Sequence, residues 1–242
     1  MRKYNNELVE NLITHYPKRI EPNYAWGNAI GGILMTPKLR GFWPGSLIDE
    51  DGVCYDISGQ GRNLFSTSLP TYAGASLYPY ADFTSASHQY LERQTEAGLE
   101  ITDSLVVWTW VYFDPESTGV DTPLLSKWGN AWNHSWTLLK DSNDQFVFRV
   151  TEDGNTAFSV TDAGEYYEES KWIFVLGRFA PCEEISLLVG IAETGLHDWY
   201  KNTTNIPTHL FNSTVNLEIA RNGVYGVYLD GKMSLWGLAN YA

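Results

Sequence analysis

The chain has 242 residues, which is enough for one large β domain or two small ones with a core that needs no disulfide. Its 29 acidic residues outnumber the 16 lysines and arginines, so the net charge is −13 at pH 7. A field of this sign repels phosphate backbones and anionic lipids, and it therefore argues against nucleic acid or a membrane surface as the partner.

The N-terminal 37 residues are predicted to form a short helix followed by an arm. Residues 5–16 carry apolar side chains at i,i+4 spacing, and Pro17 ends this pattern. Residues 17–37 are apolar but broken by glycines, which predicts an irregular arm. Such an arm either wraps its own domain or docks onto a neighbouring subunit, and both alternatives remain open. The predicted docking side chains are Leu8, Leu12, Tyr24, Trp26, Ile33 and Leu34.

The first residues do not resemble an export signal. The positive start Met1-Arg-Lys3 is followed by polar and acidic residues where an apolar run would be required. The uncharged stretch of residues 22–37 is too short and too interrupted by Gly and Pro to span a bilayer. The sequence therefore predicts neither a signal peptide nor a transmembrane helix.

From residue 38 onward, short β-branched and aromatic runs alternate with turn residues. This alternation of strand-like runs and turn residues is typical of a two-layer antiparallel β-sandwich. A hairpin is predicted where residues 146–150 and 157–160 flank the turn Glu152-Asp-Gly-Asn155. Residues 38–242 are therefore predicted to be one all-β domain. Further strands are predicted at residues 104–114, 171–179, 185–190, 215–220, 224–229 and 232–238.

The run Ser104–Asp114 has no polar face. Alternation places Val107 and Val111 on one side and Trp108 and Trp110 on the other. A strand of this kind is buried on both sides, or one of its faces is covered by the arm. We expect the aromatic face to be covered from outside the sheet.

Several short motifs follow one another in a set order. They are Leu39-Arg-Gly-Phe-Trp-Pro44, Tyr55-Asp-Ile-Ser-Gly-Gln-Gly-Arg-Asn63, Ser104-Leu-Val-Val-Trp-Thr-Trp-Val111, Leu124-Leu-Ser-Lys127 and Tyr228-Leu-Asp-Gly-Lys232. In these motifs and their order, the chain over roughly residues 38–242 resembles the laminin G-like jelly rolls, pentraxins included, of the concanavalin A-like lectin/glucanase superfamily. This resemblance implies a jelly-roll sandwich of two antiparallel sheets packed face to face.

The resemblance also implies where calcium would bind, but the ligands do not match. Pentraxins bind paired calcium ions through an acidic-amide pair in one loop and an acidic cluster near the carboxyl end. Here the first loop reads Trp132-Asn-His-Ser135 without a carboxylate, and the second reads Ala220-Arg-Asn-Gly223. Calcium needs oxygen ligands, so no metal site is assigned and no cofactor is predicted, although calcium itself is not excluded.

No arrangement of residues predicts an enzyme. The glucanases of the superfamily carry Glu-x-Asp-x-(x)-Glu on one strand, and retaining hydrolysis needs two carboxylates about 5 Å apart. This motif is missing, and the five histidines show no metal-binding spacing. Cys54 and Cys182 are too far apart in sequence for a metal motif. A single bridge requires that both side chains meet in the fold, and two buried free thiols are the favoured alternative.

The most suggestive surface feature is the segment from Trp128 to Trp136, where three indoles lie in or beside one predicted loop. Indole faces stack on the C–H surfaces of sugars, and amide or imidazole groups bond the hydroxyls. The alternative is that Trp128 and Trp136 are core residues and that only Trp132 is exposed. Trp199-Tyr200 is a second aromatic candidate. The candidate carbohydrate-binding residues are Trp128, Trp132, Asn133, His134 and Trp136.

Three functions are compatible with these features. The first is a non-catalytic structural or display module, such as a phage virion surface or decoration protein, whose arm docks onto partner subunits. It reconciles a lectin-type fold with the missing export signal and places the chain on a virion or an extracellular surface. The alternative is a carbohydrate-binding lectin domain with glycan partners. A glycoside hydrolase is disfavoured by the missing carboxylate pair.

Overall fold

The computed structural model describes residues 38–45, 47–72, 80–115, 119, 121–164, 166–194 and 197–240. These residues contain eighteen β-strands, one short 3-10 helix at Ser85–Ser87 and no α-helix. The predicted helix over residues 5–16 and the arm over residues 17–37 lie outside this part, so the boundary at residue 38 stays a prediction. The predicted docking residues also lie outside the described part of the chain and stay a prediction. They are Leu8, Leu12, Tyr24, Trp26, Ile33 and Leu34.

The strands are numbered in chain order. The longest three are β7, β12 and β18. The strands are β1 (Leu39–Trp43), β2 (Val53–Cys54), β3 (Leu64–Phe65), β4 (Thr71–Tyr72), β5 (Ala81–Phe83), β6 (Leu91–Arg93), β7 (Leu105–Phe113), β8 (Thr122–Trp128), β9 (His134–Lys140), β10 (Phe146–Thr151), β11 (Ala157–Thr161), β12 (Trp172–Ala180), β13 (Glu184–Ile191), β14 (His197–Asn202), β15 (Leu217–Ile219), β16 (Arg221–Asn222), β17 (Val227–Tyr228) and β18 (Gly231–Asn240).

These strands form two eight-stranded sheets in which every described pairing is antiparallel. Sheet A has the order β14-β13-β12-β7-β18-β5-β4, with β1 also paired to β18. Sheet B has the order β11-β10-β9-β8-β15-β6-β3-β2. β16 and β17 pair with each other in a separate hairpin. The predicted all-β fold, a two-sheet antiparallel sandwich, is confirmed.

The main core lies between the inner faces of the two sheets and is built from alternate positions of the long strands. In β7, Val107 and Val111 belong to this core, whereas Trp108 and Trp110 belong to a second apolar cluster on the outer face of sheet A. All four side chains are buried. The prediction that this strand is buried on both sides is therefore confirmed.

The hairpin predicted around Glu152-Asp-Gly-Asn155 forms as expected from β10 and β11. Two other local predictions need correction. The strand predicted over residues 224–229 shrinks to Val227–Tyr228, because residues 223–226 form the turn between β16 and β17. Cys54 and Cys182 are both free, and Cys54 is buried. The expected burial of Cys182 is wrong, because this residue lies in the exposed turn between β12 and β13.

Lys127 places an amino group inside the sandwich. Its register in β8 sets it opposite the core residue Trp136 of β9. The Lys127 Nζ donates to Thr95 Oγ1 at 3.0 Å and to the Val215 carbonyl at 3.1 Å. Burial lowers the pKa of Lys127 from 10.5 to about 8. A pKa change of this size corresponds to roughly 3 kcal/mol of lost stability at neutral pH.

Lys127 should make stability depend on pH in the alkaline range. Because its pKa is lower in the folded state, the unfolded chain binds more protons between pH 8 and 10.5, and the free energy of unfolding rises with pH there. Between about pH 8 and 9.5 the wild type should gain about 2 kcal/mol over Lys127→Met, measured by urea unfolding. Because the Lys127→Met variant carries the same thiols and phenols as the wild type, their titration cancels in this comparison. Parallel pH profiles for the two proteins would contradict the expectation.

Candidate functional site

The outer face of sheet B carries a row of polar side chains that are in register across three strands. Ser126 of β8 lies opposite Thr137 of β9, and Thr137 lies opposite Arg149 of β10. The alternation that directs Phe148 into the core directs Arg149 outward. Such a row would ordinarily face water, but Ser126 and Thr137 are almost fully buried. Another part of the chain therefore lies over them.

The cover is the β16–β17 hairpin, residues 221–228, which packs against β8. The base of this hairpin is anchored by Arg221. Its guanidinium forms ion pairs with Glu92 at 3.0 Å and with Glu218, and it lies 3.7 Å from the centre of the Tyr90 ring. These contacts fix the hairpin over the face of sheet B.

A cleft of about 80 Å³ lies between the outer face of sheet B and the hairpin, and we call it the sheet B cleft. Two aromatic rings contribute to its lining. Tyr225, in the turn of the hairpin, is 61% exposed, whereas Trp128 is buried and stacks on His134. The residues that line the cleft are Asp121, Pro123, Trp128, Thr137, Leu139, Arg149, Asn222, Tyr225 and Val227.

Several buried polar atoms around this cleft have no hydrogen-bond partner among the described residues. They are Ser126 Oγ, Thr137 Oγ1, His134 Nδ1 and Asn222 Oδ1. Thr137 and Asn222 line the cleft and are 1% and 8% exposed. A buried polar atom without a partner costs roughly 1–3 kcal/mol. A cluster of such atoms beside one cavity is the arrangement expected of groups that bond a ligand or ordered water.

Arg149 adds a positive charge to the cleft. Its side chain is half-buried and forms no ion pair or hydrogen bond with any residue that the structure describes. Asp121 also lines the cleft, but it accepts a hydrogen bond from the Ser142 N–H at 2.8 Å and does not pair with Arg149. Arginine is rarely buried without a partner, because removing a charge from water is costly. The guanidinium is therefore available to an acceptor that enters the cleft.

The turn between β8 and β9 begins directly after the cleft residue Trp128 and displays Trp132. The Gly129 N–H donates to the Asn133 carbonyl at 3.1 Å, and the Asn133 N–H donates to the Asn130 carbonyl at 2.9 Å. Trp132 is 68% exposed and has a φ of 70°. This left-handed conformation costs a residue with a side chain roughly 1–2 kcal/mol. Strained and exposed residues are often functional ones.

Asn133 and His134 support this turn and its aromatic rings. The Asn133 amide donates to Thr214 Oγ1 and accepts from the Thr214 N–H, both at 3.1 Å. His134 is buried, and its ring centre lies 4.3 Å from that of Trp128 in a stacked arrangement. Burial lowers the pKa of His134, so the imidazole is neutral at pH 7. Asn133 thus holds the turn against Thr214, and His134 supports the ring of Trp128.

The predicted site residues do not form one exposed cluster. Trp136 is 1% exposed and belongs to the core, so its indole cannot stack on a ligand that arrives from solvent. Trp128 is buried as well, which agrees with the alternative that only Trp132 presents an exposed indole. Trp199, from the second candidate pair, is 48% exposed on the edge strand β14 of sheet A.

Of the residues that line the cleft, sequence reasoning named only Trp128; the polar and aromatic residues that it missed are Asp121, Thr137, Arg149, Asn222 and Tyr225. The alternation within residues 146–150 could have indicated that Arg149 points away from the core. No local pattern indicates that residues 221–228 fold over Arg149, because that contact joins segments far apart in the chain.

The described part of the chain lacks two further features. Among these residues, no group of three or more His, Cys, Asp or Glu side chains is placed to hold a metal ion. In the same residues, no helix has the length and hydropathy that a membrane crossing requires.

The fold resembles that of several solved binding domains. The binding domain of Paraclostridial Mosquitocidal Protein 1 matches with a TM-score of 0.61 and 11% identity over 85% of this chain and 49% of that chain. The botulinum neurotoxin serotype G binding domain matches with a TM-score of 0.63 and 9% identity over 84% and 48%. The serotype D ligand binding domain in complex with N-acetylneuraminic acid matches with a TM-score of 0.64 and 10% identity over 88% and 49%.

These similarities concern architecture. The chain spans about half the length of each of these binding domains. At identities near 10%, the likeness shows the fold alone. No family model and no curated protein matches the sequence.

Proposed function

We propose that this chain is a non-catalytic carbohydrate-binding module and that the sheet B cleft holds one sugar residue. One observation carries the proposal. The cleft combines two aromatic rings, an unpaired guanidinium and buried polar atoms that have no partner among the described residues. A sugar presents apolar C–H faces together with hydroxyl groups that both donate and accept hydrogen bonds. It can therefore satisfy the aromatic and the polar groups of the cleft at once.

The size of the cleft limits the ligand. Its volume of about 80 Å³ is more than one water molecule needs. It is well below the roughly 300–1,000 Å³ of pockets that enclose drug-sized molecules. This favours one sugar residue, or a substituent of it, with the rest of the glycan outside the cleft. The exposed rings of Tyr225 and Trp132 are then available to contact the neighbouring sugar residues.

Arg149 favours a sugar that carries a carboxylate. A carboxylate accepts two parallel hydrogen bonds from a guanidinium and neutralises its charge. The net charge of −13 repels an anion at long range, but salt screens exposed charges beyond about 8–10 Å, whereas a contact inside the cleft is short. The similar serotype D domain is described in complex with N-acetylneuraminic acid, an acidic sugar. That example supports the proposal by analogy of fold only.

The proposal has consequences for where the chain acts. Glycans are displayed on surfaces, so the module would act on an extracellular or virion surface. The resemblance to laminin G-like jelly rolls remains part of the proposal, since that superfamily includes lectins. The prediction of a virion display module rests on the arm, which lies outside the described residues. The two roles are compatible, because a display protein can present a glycan-binding surface.

A glycan array tests the proposed function. The purified chain should bind a restricted set of glycans. Tyr225→Ala should weaken that binding by about tenfold, which corresponds to about 1.4 kcal/mol, because it removes an exposed ring of the cleft. Trp132→Ala should weaken the binding of longer glycans and spare that of single sugar residues.

Trp199→Ala is the matched control for this array, because it removes an exposed indole from the edge of the other sheet. It should leave glycan binding unchanged. The proposed function fails if no glycan binds, or if Tyr225→Ala and Trp199→Ala have the same effect.

A further inference from the structure

A second cavity, which we call the β6 groove, is lined by β3, by β6 and by the residues directly after β6. Its volume of about 460 Å³ falls within the roughly 300–1,000 Å³ of typical small-molecule sites. In the order of sheet B, β15 separates β6 from β8, and the groove shares no lining residue with the sheet B cleft. The residues that line the groove are Phe65, Glu92, Arg93, Gln94, Thr95 and Glu96.

The charged side chains of the β6 groove are already paired. Glu96 forms ion pairs with Arg62 at 2.8 Å and with Arg93 at 2.9 Å. Glu92 forms an ion pair with Arg221 at 3.0 Å. A charged ligand that entered the groove would lose its hydration and would meet no lining charge that lacks a partner. The groove therefore favours an uncharged ligand.

Phe65 gives the groove an apolar wall. Its neighbour Leu64 belongs to the core, so the alternation of the strand turns the Phe65 ring outward, where it is 46% exposed. In register, Phe65 lies opposite Glu92 of β6. The guanidinium carbon of Arg93 lies 5.9 Å from the centre of the ring. An exposed ring at the side of a groove can pack on the C–H face of a sugar.

Thr95 gives the groove a hydrogen-bond donor. Its Oγ1 accepts a hydrogen bond from the buried Lys127 Nζ at 3.0 Å. Burial lowers the pKa of Lys127 to about 8, so the amino group is protonated at pH 7. An ammonium group only donates, so the hydroxyl hydrogen of Thr95 cannot return to Lys127. No residue in the described part of the chain accepts this hydrogen, and it is available to an acceptor in the groove.

We propose that the β6 groove is a second carbohydrate site, and that it binds an uncharged sugar residue through an acetamido group whose carbonyl oxygen accepts from Thr95. A carbonyl oxygen has lone pairs but no hydrogen, so it fits a group that only donates, and the acetamido methyl group can pack on Phe65. Lys127 does not line the groove and is a positioning residue that keeps the Thr95 hydroxyl turned outward. The inference rests on the proposed function for its class of ligand, carbohydrate, but not on the sheet B cleft.

The site also gives a role to Lys127. Its Nζ donates to Thr95 and to the Val215 carbonyl and forms no ion pair with a residue that the structure describes. A buried amino group without a counter-charge costs stability. Buried ionisable groups of this kind are concentrated at functional sites, where the cost is offset by a use.

Two trisaccharides test the ligand class with the full chain. Tri-N-acetylchitotriose and cellotriose differ in carrying an acetamido group or a hydroxyl group at the same ring carbon. In titration calorimetry the first should bind about tenfold more tightly than the second, and Phe65→Ala should weaken its binding about tenfold. Its binding should shift the NMR signals of residues 92–96 and spare those of residues 221–228. Absent binding, equal affinities, or shifts confined to the hairpin would overturn the proposal.

Two variants of Thr95 separate its hydroxyl donor from its packing. Thr95→Val removes the hydroxyl group and should weaken binding of tri-N-acetylchitotriose about tenfold. Thr95→Ser keeps the hydroxyl group and should change the affinity by less than about threefold. Equal effects of the two variants would overturn the assigned contact. An acidic monosaccharide reports on the sheet B cleft and this neutral trisaccharide on the β6 groove, so failure of one site is distinguishable from failure of the other.

A pH profile tests the positioning role of Lys127. Between pH 7 and 9.5 Lys127 loses its proton, and the neutral amine can then accept the Thr95 hydrogen. The affinity of the wild type for tri-N-acetylchitotriose should therefore fall several-fold over this range, whereas Lys127→Met should bind weakly with a flat profile. Parallel profiles would overturn the role. Carboxylates and guanidinium groups do not titrate in this range, which applies to Glu100, whose charge acts on Lys127, and to Glu92, Arg93 and Glu96 of the groove.

Discussion

Arg149→Gln is expected to lower the affinity for an acidic sugar by about 10- to 100-fold. Charge-assisted hydrogen bonds contribute roughly 1.5–3 kcal/mol, and each 1.4 kcal/mol is a tenfold change in affinity. Arg149→Lys keeps the charge but loses the planar fork, so it should restore only part of the affinity. Titration calorimetry with an acidic monosaccharide and its neutral counterpart measures the effect. Affinity for the neutral sugar should change by less than about threefold.

The controls for Arg149→Gln separate recognition from general effects. Because Arg149 has no partner among the described residues, its loss should leave the free energy of unfolding unchanged or raise it. Arg178→Gln makes the same change of charge on sheet A, where Arg178 pairs with Glu184 at 2.6 Å, and should leave binding unchanged. Equal losses for the two variants would point to long-range electrostatics. Equal losses for the acidic and neutral sugars would mean that Arg149 binds hydroxyl groups.

The sandwich was predictable because its strands carry local signals. The runs that became β7, β12 and β13 are β-branched or aromatic and are bounded by turn residues, and the structure reproduces their limits to within one residue. The turn around Asp153 and Gly154 likewise identifies its hairpin. These features depend on a few neighbouring residues, so a single sequence is sufficient to find them.

The cleft was not predictable to the same degree, because it depends on register and on contacts between distant segments. The register of β8 against β9 shifts between Pro123 and Leu125 and again between Lys127 and Trp128. Simple alternation fails at such irregularities, and this is how a lysine comes to lie inside the sandwich. The position of Tyr225 over sheet B depends on the ion pairs of Arg221, which no local pattern reveals.

Gly177→Ala is expected to lower the free energy of unfolding by about 3 kcal/mol. Gly177 lies within β12 of sheet A, and a Cβ atom there would lie 2.5 Å from Cγ of Phe148 in sheet B. Non-bonded carbon atoms prefer about 3.5–4.0 Å, so the ring or the sheet would have to move. Phe148 is fully buried, and overpacking a filled core typically costs about 1–3 kcal/mol. Guanidinium unfolding followed by tryptophan fluorescence measures the loss.

A double-variant cycle tests whether this contact is the cause. Phe148→Leu alone should cost about 1–2 kcal/mol, because the smaller side chain leaves a cavity. In the Gly177→Ala background the same change makes room for the new methyl group. The double variant should therefore be at least about 1 kcal/mol more stable than the sum of the single losses predicts. Additive losses would contradict the idea that the close approach of the two sheets at Gly177 requires a residue without a side chain.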